Sequence, residues 1–119
     1  MDLQLSTSRQ DLYAVVTVVG DLDLGSAPQL HDHALLTAAE KTPQLVLDLG
    51  GVTFMDSSGL KCLLSIQRRV EQDGGTLALV AIPYSVRRVL SVTGTEGFFS
   101  ISERIEDVVG SGPASAGTD

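Results

Sequence analysis

The chain has no tryptophan, two tyrosines and three phenylalanines. Aromatics at 4% offer no stacking platform for single-stranded nucleic acid. There is one cysteine, so no internal disulfide forms, and the residue suits a reducing compartment. Basic residues are scarce: 8 Lys and Arg against 15 Asp and Glu give a formal charge of -7. Such a surface repels phosphate backbones and anionic lipids, so neither nucleic acid nor membrane is expected as a direct partner. The pairs Arg68-Arg69 and Arg87-Arg88 are too short to make a nucleic-acid stripe and read as solvated helix faces. No apolar run approaches the roughly 18 residues of a membrane span. The start, Met1-Asp2-Leu3-Gln4, has neither a basic n-region nor an apolar h-region, so no signal peptide is expected and the location is read as cytoplasmic.

What is present is a small globular composition. The 119 residues are 43% hydrophobic and 19% charged, which suits one domain with a core of its own and argues against disorder. Leu3 to Thr7 and Tyr13 to Gly20 read as strands, the second dense in β-branched residues, with Ser8-Arg9-Gln10-Asp11 as the turn. Asp21 to Gly25 reads as a loop. Ser26-Ala27-Pro28-Gln29 then has the form of a capping box with proline in the first helical turn. Leu30, Ala34 and Ala38 continue that helix on one face. Leu45 to Leu49 is nearly continuous in apolar residues, as in a strand covered on both faces. Gly50 to Met55 leads into Asp56-Ser57-Ser58-Gly59, and Leu60, Leu63, Leu64 and Val70 mark a helix up to Asp73.

Thr76 to Ile82 is a further buried strand, and Val86, Val89 and Leu90 a third helix closed by Gly94. Phe98 to Ile101 reads as a strand and Ser102 to Val109 as a last short helix. The expected order is β-β-α-β-α-β-α-β-α, an α/β fold with a mixed, mostly parallel sheet, an N-terminal hairpin and helices mainly on one face. Residues 1-109 form the expected domain. Residues 110-119 have linker composition and are expected to be a mobile tail, dispensable for folding.

Few residues present themselves for chemistry. His31 and His33 are two apart, about 200° around a helix axis, so they share no ligand face. Cys62 falls inside a helix and reads as a small hydrophobe. Ser58-Gly59-Leu60-Lys61 matches S-x-x-K at two positions, but the partner motifs of that acylating machinery are absent. A nucleophile elbow fails because Met55 and Asp56 precede the serines, and the P-loop pattern fails as well. A small serine hydrolase, with a histidine brought in from elsewhere, stays open as an alternative of another class. The strongest local feature is Asp56-Ser57-Ser58-Gly59-Leu60, where a strand end becomes a helix. One N-cap residue would satisfy the free N–H groups; four small polar residues in a row exceed that need. Hydroxyls at a helix N-terminus tolerate a phosphoryl group, and Gly59 leaves room for another protein to approach.

These residues resemble a known family. Val52-Thr53-Phe54-Met55-Asp56-Ser57-Ser58-Gly59-Leu60 is similar to the signature of the STAS domain, in particular its anti-sigma factor antagonist branch. Gly20-Asp21-Leu22-Asp23, Ala27-Pro28-Gln29-Leu30, Gly74 to Val80 and Val86 to Gly94 resemble other family segments, so that the likeness runs over about residues 3 to 109 in order. The resemblance implies a regulator with no catalysis and no cofactor of its own. Its partner would be an anti-sigma factor serine kinase, which releases its sigma factor on binding. That kinase would phosphorylate Ser57, the serine after the motif aspartate, with Ser58 as the alternative acceptor. A metal-dependent, PP2C-type phosphatase would reset it. Asp21, Asp23, Asp56, Ser57, Ser58, Gly59 and Lys61 would form the partner-binding surface of a monomer or weak dimer. Other roles within the family are a stressosome scaffold or a lipid-transport accessory protein. Two departures stand out: Lys61 where many members carry glycine, and Thr95-Glu96-Gly97 in place of a leucine-containing turn.

Overall fold

A computed structural model describes residues 3-10, 12-39 and 44-108. The order is β1 (Gln4–Gln10), β2 (Tyr13–Leu22), α1 (Ala27–Ala38), β3 (Gln44–Met55), α2 (Ser57–Gln72), β4 (Thr76–Val80), α3 (Tyr84–Thr93) and β5 (Ser100–Ser102). The five strands lie in sequence order across one sheet, β1 antiparallel to β2 and every later pair parallel. Three successive crossovers of one hand, each stepping to the next strand, carry all three helices to the same face. The expected α/β class and one-sided helix layer are therefore what is found.

The core lies between that layer and the sheet. Leu30 and Ala34 of α1, Leu63, Ile66 and Val70 of α2, and Val86 and Leu90 of α3 pack over alternate residues of the inner strands: Ala14, Val16, Val18, Leu45, Leu47, Leu49, Leu77 and Leu79. The intervening residues Val15, Val46, Ala78 and Val80 point to the opposite face and are buried as well. Ile105 and Val108 of the C-terminal segment, with Tyr13 and Ala81, pack against them. This double covering is why β3 and β4 read as continuous apolar runs rather than alternating ones.

Several expected element bounds change. β1 runs on to Gln10, so Ser8, Arg9 and Gln10 pair with β2 instead of turning, and β2 runs on to Leu22, taking Asp21 and Leu22 out of the expected loop. The strand begun at Leu45 does not end at Leu49 but runs through both glycines to Met55, because pairing with β2 continues across two register shifts. Gly51 permits that continuation: a Cβ there would stand 2.7 Å from Val19 Cγ2. β4 stops at Val80 rather than Ile82, since Ala81 turns into the left-handed region at φ 57°. Phe98 belongs to a 3-10 turn, Glu96–Phe98, and β5 begins only at Ser100. The expected last helix is a single 3-10 turn, Ile105–Asp107. The expected tail, 110-119, lies outside the described residues.

The departure at Thr95-Glu96-Gly97 is absorbed by polar contacts. Gly94 takes φ 73° at the end of α3, and Thr95 N–H donates to the Leu90 carbonyl at 2.9 Å. Glu96 pairs with Arg87 at 2.6 Å, tying the turn back to the helix.

Candidate functional site

β2 and β3 run parallel with Leu22 opposite Met55, so the loops that follow them emerge side by side. Asp21 lies at the end of β2 and Asp23 just beyond it; Asp56 follows β3, and Ser57 and Ser58 open α2. Asp56 N–H donates to the Leu22 carbonyl at 3.3 Å, joining the two. Thr53 Oγ1 donates to Asp21 Oδ1 at 2.6 Å and fixes that carboxylate against β3.

Asp56 is the N-cap of α2. Its Oδ1 accepts from Ser58 N–H at 2.9 Å and Gly59 N–H at 3.1 Å, and its carbonyl takes Leu60 N–H. The acidic cap also faces the positive end of the helix dipole. Ser57 is then the first helical residue, exposed, and its hydroxyl makes no hydrogen bond to the described residues. Ser58 is half-buried and turned toward α1, where it lines a groove with Leu24, Pro28, His31, Lys61 and Cys62. Lys61 is exposed and one turn further along α2.

Gly59 is not where its expected role would put it. It is buried, and a Cβ would meet the Leu22 carbonyl oxygen and Met55 Cγ, both at 2.6 Å. The missing side chain lets α2 seat on the end of β2 within the same chain. It opens no approach for a second protein.

The start of α1 also differs from the capping box. The side chain of Ser26 makes no cap bond; it donates to the Asp21 carbonyl at 2.7 Å and accepts from Asp23 N–H at 3.0 Å. Gln29 reaches instead to the Leu3 carbonyl at 3.0 Å. The loop is organised by Asp23, whose Oδ1 takes Gly25 N–H and Ser26 N–H, both at 3.1 Å. The bond from Ser26 N–H is the chief reason that the Asp23 carboxyl titrates below its ordinary value of 3.8. Asp23 and Asp56 line one groove together, beside Leu24.

The two histidines diverge as expected. His33 Nε2 lies 2.7 Å from Thr7 Oγ1, and His31 Nε2 lies 3.1 Å from Ser65 Oγ. Neither is hydrogen-bonded to Ser57 or Ser58. Ser65, His31 and Asp32 have the connectivity of a catalytic triad, which the sequence reading missed. However, Asp32 Oδ1 is 3.6 Å from Nδ1, beyond hydrogen-bond length, and Ser65 is mid-helix, where backbone N–H donors are taken and form no oxyanion hole. Among the described residues no group of three metal-ligating side chains exists. Cys62 is buried, donates to the Ala27 carbonyl at 3.3 Å, and burial pushes its thiol up to about 12, so it stays protonated and unreactive.

Sequence reasoning also missed the apolar residues at this end of the sheet. Leu24 is 74% exposed on the rim shared by both grooves, and Phe54, at the end of β3, is 50% exposed. A leucine isolated among loop acids was the available signal. Acids, two hydroxyls and exposed apolar side chains thus share one edge of the molecule, a surface suited to binding a protein.

The comparisons bear on the family and the fold. The family model described as the STAS domain matches residues 4–108. An anti-sigma-B factor antagonist of Staphylococcus aureus is 26% identical over 106 residues, covering 89% of this chain and 98% of the relative. The crystal structure of an anti-sigma factor antagonist from Mycobacterium paratuberculosis superposes with a TM-score of 0.80 at 27% identity, covering 98% of this chain and 95% of that one. The Bacillus cell fate determinant SpoIIAA, solved in its phosphorylated form, shares the fold with a TM-score of 0.66 at 20% identity, over 89% of this chain and 96% of that one.

Proposed function

The chain belongs to the STAS domain family, and from that membership we propose that it acts as an anti-sigma factor antagonist switched by phosphorylation of Ser57. It binds an anti-sigma factor serine kinase through the edge that carries Asp21, Asp23, Leu24, Asp56 and Ser57, and the kinase then releases its sigma factor. The reading implies a cytoplasmic protein and a PP2C-type phosphatase that resets it. The observation that carries it is the hydroxyl of Ser57: exposed, without a hydrogen bond to the described residues, and on the first residue of a helix in which Asp56 holds the next two N–H groups.

In the transfer, Ser57 Oγ attacks the γ-phosphorus of ATP held by the kinase. An O–P bond forms, the bond to the leaving ADP breaks, and the hydroxyl proton goes to a base on the kinase. The product adds about -1.5 to -2 charges at neutral pH. Unit charges about 4 Å apart repel by roughly 1 kcal/mol in water and about 4 kcal/mol at an effective dielectric of 20, so the neighbouring Asp56 opposes the added charge. At a closed interface the new charge must also be desolvated, which raises the cost further. The fold is retained, because Ser57 is exposed and contributes nothing to the core.

Calorimetric titration of the partner kinase tests this. Ser57→Asp is expected to bind at least tenfold more weakly than the unmodified protein, about 1.4 kcal/mol. Ser57→Ala is expected to bind and to gain no phosphoryl mass on incubation with kinase and ATP. Phosphoryl uptake by Ser57→Ala would move the acceptor elsewhere, and equal affinity for Ser57→Asp would remove charge as the switch.

A further inference from the structure

Resting on the reading of Ser57 as the modified residue, the geometry points to Lys61 as the built-in counter-ion of the phosphoryl group, making the modified site a phosphoserine–lysine pair on one helix face. At 3.6 residues per turn Lys61 projects about 40° from Ser57 and about 60° from Ser58, one turn away. Helical side chains lean toward the N-terminus, so the Lys61 stem is directed back over Ser57.

The helix end is already partly engaged by an acid of its own. Ser58 N–H and Gly59 N–H, the donors that an anion there would seek, are taken by Asp56 Oδ1. Asp21, Asp23 and Asp56 make the surroundings acidic, so an added phosphoryl group meets repulsion and needs a cation. Lys61 is exposed, and neither hydrogen bond nor ion pair commits it to any described residue. Of the two grooves beside the site, the one shared by Asp23 and Asp56 has no basic residue, and the other has only Lys61 and His31. His31 is already engaged with Ser65.

The pair changes what the switch transmits. Lys61 absorbs part of the new charge within the protein and holds the phosphoryl group in one orientation along α2. A phosphatase must then take the group from a lysine that holds it.

The test uses the full chain with phosphoserine incorporated at position 57 by codon reassignment, so that no kinase is needed. The second phosphate ionisation is followed by phosphorus NMR against pH. Removing the ammonium in Lys61→Gln is expected to raise that pKa by about 0.2–0.7 unit, the range of an exposed pair. Lys61→Arg is expected to restore the lower value, and 1 M salt, with its Debye length of about 3 Å, to shrink the difference. The carboxylates and His31 are common to all three proteins, so the difference isolates position 61. Identical titrations for Lys and Gln at low salt would overturn the pairing. The parent reading fails separately, when protein treated with kinase and ATP gains no phosphoryl mass at Ser57.

Discussion

At Gly59 a single hydrogen atom decides how the site is built. A Cβ at 2.6 Å from the Leu22 carbonyl and Met55 Cγ has no flexible neighbour to displace on the backbone side. Gly59→Ala is therefore expected to lose about 1–3 kcal/mol in urea unfolding, the usual cost of overpacking. Gly97, with nothing within 4 Å of its would-be Cβ, is the control, expected within about 0.5 kcal/mol on the same change. Equal effects at the two glycines would mean that the close approach is not a constraint. The motif was legible in the sequence as a run of small polar residues, and Ser57 stands where that reading put it. The role of Gly59 was not legible, because what a missing side chain makes room for depends on Leu22, 37 positions away. For Leu24 the sequence offered only its isolation among acids; its exposure is a property of neighbours brought together by the fold.

The elements show the same division between local and distant causes. Helix periodicity and glycine ends were readable, since they are set within a few residues. The extension of β3 to Met55 was not, because it is supplied by pairing with β2. At the start of α1, the apparent capping box was displaced by an acid three residues earlier. Ser26 turns to the Asp21 carbonyl, and Asp23 holds the loop. That substitution has a pH signature. The folded carboxyl of Asp23 is depressed below 3.8, so the unfolded state binds its proton first on acidification. Its contribution is complete above the unfolded value and is lost as pH falls through the folded one. Asp23→Asn keeps an oxygen acceptor without a titration. Urea midpoints measured from about pH 5 to pH 2.5 are expected to fall less steeply for Asp23→Asn than for the parent. Parallel curves would mean that the loop draws no stability from the ionised form.

For the whole molecule, the helical layer followed from the order of elements, but the covering of the opposite face did not. The continuous apolar runs of β3 and β4 required a second cover; the expected terminal helix is instead one 3-10 turn that brings Ile105 and Val108 onto Val15, Val46, Ala78 and Val80. The C-terminal boundary therefore matters at the level of individual residues. Deleting everything from Glu103 onward exposes that apolar face and is expected to cost about 1–3 kcal/mol, given two half-buried aliphatic side chains. We propose that deletion from Gly110 onward stays within about 0.5 kcal/mol. Chemical denaturation of the two truncations checks both, and equal losses would show that Ile105 and Val108 do not hold the sheet.

The seat of Gly59 against β2 also bears on time. Gly59 is seated close against Leu22 and Met55, and Asp56 holds two N–H groups of the same turn, so the first turn of α2 is fixed to β2. A switch mounted there has no internal relaxation to wait for. On the proposed function, its delay would be set by bond formation and by dissociation of the partner, and its message written in surface potential rather than in shape. Stopped-flow release of the phosphorylated protein from its kinase should then follow a single exponential, with no lag before it.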